Sequence, residues 1–362
     1  MIAILLLGCN SPGDSGDSEP QVQDSPVDSE DTGEPAEECA TPTATFVDLD
    51  GLETDLTEPL LAGTYTTLDQ PGTLRVCPGT WFARVVVRAD VHVLGLGQAP
   101  ADTVLSGGEQ GTILDFEGPE RLMTVQNLTL DRGAGLDVEH NSGGGGIYCA
   151  EEGSVLVEDV VFSDSVANDG PGMYTWGCTV DIQRSEFRDN IAEDDGGALT
   201  LWYSTAVLDQ VVFEDNEGLD GGAIAAFGST LTGSNLEIRG NSAHNFGGGM
   251  WAQDTALTLT DSVFEDNDND GTNGGGLLYD GEGAELTRVG FRDNSGVIDG
   301  GIFLYWDAAL SCSECSFQDN SPNDVWVSDY EPEDYGHAYE VGETASFSCA
   351  NNACSEGDGD GG

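Results

Sequence analysis

Between Gly143 and Pro322 one unit returns seven times at steps of 25 to 27 residues, and this limits the fold more tightly than any other feature of the chain. Each unit has a glycine-rich turn, a small residue and a larger apolar one, the last at Ile147, Met173, Leu199, Ile224, Met250, Leu277 and Phe303. Fourteen or fifteen positions later stands a large apolar residue, at Phe162, Phe187, Phe213, Ile238, Phe264, Phe291 and Phe317. Apolar residues alternate within a unit, as in Ala198 to Trp202 and Ala206 to Phe213, which predicts short period-2 strands. The many glycines and β-branched residues oppose helix. A unit this short cannot close its own core, so successive units must stack with strands about 4.8 Å apart. The prediction is an all-β fold, a single parallel β-helix solenoid of about 10 coils.

Superposed coils form ladders. The Phe position and those two, five and seven residues before it point inward, as Leu231, Leu236 and Ile238 show in one coil. Three residues after the Phe position come Asn190, Asn216, Asn241, Asn267, Asn294 and Asn320, with Ser165 in the first coil. This reads as a structural ladder at a corner, where Asn tolerates a left-handed backbone and bonds the next coil's Asn. One residue after the Phe position the sign alternates through Arg188, Glu214, Arg239, Glu265 and Arg292, as adjacent rungs favour. The following rung holds Asp189, Asp215, Asp266, Asp293 and Asp319, interrupted by Gly240. It reads either as capped turns with Arg nearby or as calcium ligands.

The intact GGAI at Gly221 to Ile224, with FRDN, FEDN, FEDN, FRDN and FQDN between Phe187 and Asn320, resembles the polymorphic membrane protein repeat of chlamydial surface autotransporters. The resemblance covers about half of the chain and implies a right-handed β-helix on an outer surface, often adhesive. Upstream, LRVCPGTWFARVVVRADVHVLGLG from Leu74 to Gly97 resembles the first coils of pectate-lyase-like and pectin-esterase-like β-helices. One solenoid is expected from residue 40 to about 345, capped by Thr45 to Tyr65 and by Asp329 to Cys354, because bare solenoid ends aggregate.

Ahead of the solenoid, Leu6-Leu7-Gly8-Cys9 resembles a bacterial lipobox, which implies export and a lipid anchor on Cys9, although no Lys or Arg follows Met1. Asn10 after it resembles lipoproteins sorted to an outer membrane. The expected divisions are 1–9 signal and lipobox, 10–39 acidic tether, 40–142 cap and first coils, 143–322 the seven repeats, and 323–362 cap and acidic tail. The tether carries Pro, Ser, Gly and carboxylates without an aromatic residue and has too little apolar surface to order itself. Asp and Glu number 67 against 10 basic residues, all Arg, for a net charge of -57. That balance excludes nucleic acid and anionic membrane surfaces as partners.

Residues one and three after the inward position of the glycine strand point outward, giving Tyr148, Tyr174, Trp176, Trp202, Phe227, Trp251 and Trp306 along one face. Such a row suits stacking on sugar rings, and the first reading is an adhesive or glycan-binding surface for a polysaccharide, a host or neighbour-cell glycan, or a protein. The bland reading is that these rings cover one another. An enzyme reading, a polysaccharide lyase or hydrolase, has Asp254, Asp280, Glu282 and Asp307 nearby as acid/base candidates. Against it, the chain has no Lys, and its four His residues share no catalytic spacing. A purely structural envelope protein is the third reading.

For metals, DNDNDG from Asp266 to Gly271 resembles the first half of an EF-hand loop and makes Asp266, Asp268 and Asp270 calcium candidates, with Leu277 where the bidentate Glu belongs. Apart from Cys9, eight cysteines suit disulfides in an exported protein. Cys39 with Cys77 and Cys149 with Cys178 are the expected pairs. Cys312, Cys315, Cys349 and Cys354 staple the C-terminal cap in an open order, or form a zinc site.

Overall fold

The computed structural model describes residues 39–135, 143–150, 152–271, 273–281, 283–305 and 308–327, and the backbone of 346–350. The lipobox with Cys9, the tether, Glu282, Trp306, Asp307, Cys354 and most of the expected C-terminal cap lie outside the described residues. Within them the chain is a right-handed parallel β-helix, with a single five-residue α-helix at Thr57–Leu61.

One coil shows how the repeat folds. Its four strands are Leu199–Trp202, Thr205–Asp209, Val212–Glu214 and Glu217–Asp220. Each pairs in parallel with its counterpart one coil on, Leu199 with Ile224, Thr205 with Thr230, Val212 with Glu237 and Glu217 with Ser242. First strands build an 11-stranded sheet, second and third strands belong to a 21-stranded sheet, and fourth strands form a 6-stranded sheet. The phenylalanines stack inside, Phe187 on Phe213 with ring centroids 4.9 Å apart and Phe264 on Phe291 at 4.9 Å. Periodic apolar residues therefore fill one continuous core.

The corners explain the polar rungs. Asp189, Asp215, Asp266, Asp293 and Asp319 all have φ of 53 to 55°, and Gly240 takes the same corner at 65°. Short polar side chains and glycine tolerate this left-handed backbone, so the interruption at Gly240 obeys the rule that places Asp elsewhere on the rung. The expectation that Asn holds the left-handed turn is corrected by one residue. Asn is instead the buried lock beside it: Asn190 Nδ2 donates to Asn216 Oδ1 at 3.0 Å and to the Phe162 carbonyl at 3.1 Å. The same bonds recur through Asn241, Asn267, Asn294 and Asn320. On the charged rung Arg239 pairs with Glu214 at 3.0 Å and Arg292 with Glu265 at 3.3 Å, exposed pairs worth ~0.2–1 kcal/mol each.

The glycine pair has two separate causes. Gly221 has φ of 71°, and a Cβ on Gly222 would stand 2.0 Å from the Gly248 carbonyl oxygen. In the last repeat the alignment of Phe303 with Leu277 is corrected, since Ile302 pairs with Leu277. Asp299 occupies the first glycine position there: Gly275 N–H donates to the Asp299 carbonyl, as Gly248 N–H does to Gly274. Gly300 and Gly301 are thus the second and third residues of the turn, and the sequence pattern slips by one.

At the N-terminal end Ala44–Asp48 pairs antiparallel with Gly72–Val76 and with Glu53–Asp55. Cys39–Cys77 ties this segment to the first coil, and Cys149–Cys178 joins neighbouring coils, both as expected. Cys312 pairs with Cys315, which removes both thiolates from the zinc alternative. The backbone strand Ser346–Ala350, which includes Cys349, pairs in parallel with Ala309–Ser313.

Candidate functional site

The outer side of the 11-stranded sheet carries two rows set by register. One runs Tyr148, Tyr174, Thr200, Ala225, Trp251, and the other Ala150, Trp176, Trp202, Phe227, Gln253. Alternation along each strand puts Leu199 and Leu201 in the core and leaves Trp202 outside it. Trp176 lies 5.8 Å from Trp202, and Trp202 stacks on Phe227 at 4.2 Å. Trp251 meets Phe227 edge-on at 4.7 Å, with the small Ala225 beside it. Tyr148 and Tyr174 stack at 5.5 Å.

Exposure divides this expected face. Trp176 is 44% exposed, while Trp202 and Trp251 are half-buried. Tyr174 and Phe227 are buried at 1% and 4%, so they support the row and present no ring to a ligand. Tyr203, absent from the expected set, is 61% exposed and edges onto Trp176 at 5.4 Å. Its φ of 50° turns it out of the strand, an effect that alternation alone hides.

A second feature escaped sequence reasoning. Asp stands directly before the glycine turn in three consecutive coils, at Asp169, Asp195 and Asp220. Asp195 and Asp220 bridge in parallel, and Asp195 N–H donates to Asp169 Oδ1 at 3.1 Å. Oxygens of Asp194, Asp195 and Asp220 lie within 4.8 Å of one another. Burial, then the charges of Asp169, Asp194 and Asp220, push the Asp195 carboxyl up to about 8. Burial likewise raises Asp220 to about 6, Asp194 adding to it while the Asn245 side chain and the Phe246 backbone oppose it. The Tyr174 hydroxyl, raised by burial and then by Asp169 and Asp195, borders the group. In so acidic a chain no composition signal marks these residues; the recurrent Asp-Gly step was the one available clue.

The other candidates fall apart from this site. Asp266 sits exposed at its left-handed corner, Asp268 accepts a bond from Ser295, and Asp270 faces His244 at 3.0 Å. The three do not gather as ligands; among the described residues that geometry belongs to Asp194, Asp195 and Asp220. Asp254 is exposed at a corner, and Asp280 accepts from Gln253 at 3.3 Å on the neighbouring rung.

The profile of the family described as "Right handed beta helix region" matches residues 123–287. No curated protein matches the chain. Among solved structures it is similar to the A-module of the Azotobacter vinelandii mannuronan C-5 epimerase AlgE6, at 12% identity over 80% of this chain and 91% of that one, with a TM-score of 0.30. It is also similar to the Agl-KA catalytic domain, at 10% identity over 82% of this chain and 64% of that one, with a TM-score of 0.26.

Proposed function

We propose that this chain is a non-catalytic, surface-exposed β-helix lipoprotein that binds glycans, as an adhesin does, through Trp176, Trp202 and Tyr203. The observation that carries the reading is an exposed Trp176 and Tyr203 held in edge contact beside half-buried Trp202 and Trp251 and buried Phe227. Sugars offer apolar C–H faces that stack on such rings, and rings fixed by Trp202, Phe227 and Trp251 lose little freedom on binding. The net charge of -57 favours a neutral glycan over an anionic one. Three disulfides support export, and the lipobox-like Cys9 with the polymorphic-membrane-protein-like repeats supports a lipid anchor at a bacterial outer membrane.

The test incubates the chain with insoluble and soluble polysaccharides and scores protein depletion together with release of reducing or unsaturated ends. Depletion without products, abolished in Trp176→Ala and Tyr203→Ala, is the expected result. Release of products would replace the reading with a lyase or hydrolase, and absence of both signals would leave an envelope scaffold.

A further inference from the structure

Asp194, Asp195 and Asp220 meet at the junction of the 6-stranded sheet with the glycine turn, away from the exposed tryptophan. Asp220 is only 8% exposed, and its Oδ1 has no hydrogen-bond donor. A buried carboxylate oxygen without a donor is costly, and more so beside other carboxylates. The charged groups acting on Asp195 are all acidic, and no Arg ion pair among the described residues involves any of the three. We propose that Asp194, Asp195 and Asp220 hold a divalent cation, and that the ion is calcium.

The donor set consists of oxygen alone, which selects a hard cation over zinc or copper. Calcium at about 2.3–2.6 Å from its ligands admits oxygens up to roughly 5 Å apart, so three oxygens within 4.8 Å of one another fit it without being drawn closer. Magnesium at about 2.0–2.1 Å demands a near-ideal octahedron and dehydrates reluctantly, which an irregular corner of three carboxylates serves less well. The backbone already holds the ligands in place: Gly196 N–H donates to the Asp220 carbonyl at 2.7 Å, and Leu219 N–H to the Asp194 carbonyl at 2.9 Å. Exposed Asp194 leaves a side open for entry and for water ligands, while Asp169 on the preceding rung adds negative charge. An ion here would clamp consecutive coils at the corner before the glycine turn, a role independent of any glycan.

Calorimetric titration of the full chain with calcium, at about 150 mM salt to suppress diffuse binding by the other carboxylates, tests the site. Wild type should show one saturable site and a melting temperature that rises with calcium. Asp194→Asn and Asp220→Asn should each weaken binding by about tenfold or more, since affinity follows ligand charge. The double variant Asp266→Asn, Asp268→Asn should bind as wild type does. Should Asp220→Asn fail to fold by circular dichroism, the exposed Asp194→Asn decides alone. No saturable binding by about 10 mM calcium, well above the ~10⁻³ M range of extracellular modules, overturns the site. Wild-type affinity in Asp194→Asn, or loss of the site in the Asp266/Asp268 variant, also overturns it. Magnesium binding as tightly as calcium overturns the choice of ion.

Discussion

Asn216 donates twice to one atom of the next coil: its Nδ2 and its backbone N–H reach Asn241 Oδ1 at 2.9 and 3.0 Å. A third bond, from Asn216 Nδ2 to the Phe187 carbonyl at 3.0 Å, reaches back across the preceding coil. Each Asn side chain thus satisfies two buried backbone groups of the preceding coil, here the Phe187 carbonyl and the Asn190 N–H, while its own N–H is met by the next Asn. Asn216→Leu would orphan the Phe187 carbonyl and the donors of Asn190, at about 1–3 kcal/mol for each unsatisfied group. The expected outcome is a fall of several kcal/mol in urea unfolding, whereas Asn320→Leu at the ladder's end should cost less; equal losses would show that stacking of the ladder adds nothing.

Exposed and buried rings of the aromatic face should separate by variant. Trp176→Ala and Tyr203→Ala should lower glycan binding at least tenfold while moving stability by less than ~1 kcal/mol. Phe227→Ala removes a buried ring and should cost about 3–5 kcal/mol, read from the unfolding midpoint. Retained binding in the Trp176 and Tyr203 variants would remove the glycan reading.

Gly222 tests the origin of the glycine pair. An added Cβ would stand 2.0 Å from the Gly248 oxygen and 2.5 Å from that of Ser242, both backbone atoms that cannot move aside cheaply. Gly222→Ala should destabilise by about 3 kcal/mol, the upper part of the overpacking range. A thermal melt that matches wild type would mean the coil spacing yields more readily than the packing implies.

Asp299 supplies a pH dependence. It is fully buried with no side-chain hydrogen-bond partner, and burial, outweighing the opposing backbone N–H of Gly274, pushes it up to about 8. A carboxyl raised in the folded state favours folding when protonated. Its contribution is complete below the ordinary value near 4 and is lost as pH rises through about 8. Asp299→Asn should therefore gain more than ~1 kcal/mol at pH 8 relative to wild type and little at pH 4. Equal gains at both pH values would assign the effect to packing.

The period of 25 to 27 residues, the inward phenylalanines, the Asn ladder and two disulfides were all legible in the sequence. The reason is that in a β-helix each coil touches the next at a nearly constant offset, so a chemical requirement repeats along the chain wherever it repeats in space. Tertiary structure decided what is not periodic. Whether the left-handed corner falls on Asp215 or Asn216 depends on backbone torsion that either residue tolerates. Tyr174 and Trp176 occupy alternate positions of one strand, yet Tyr148 and the segment at Gly143 lie against the first ring, while the second stays in solvent. The meeting of Asp194, Asp195 and Asp220 needed the register itself: offsets of 25 and 26 residues put three carboxylates at one corner, and only the stacked fold turns that spacing into a distance of a few ångströms.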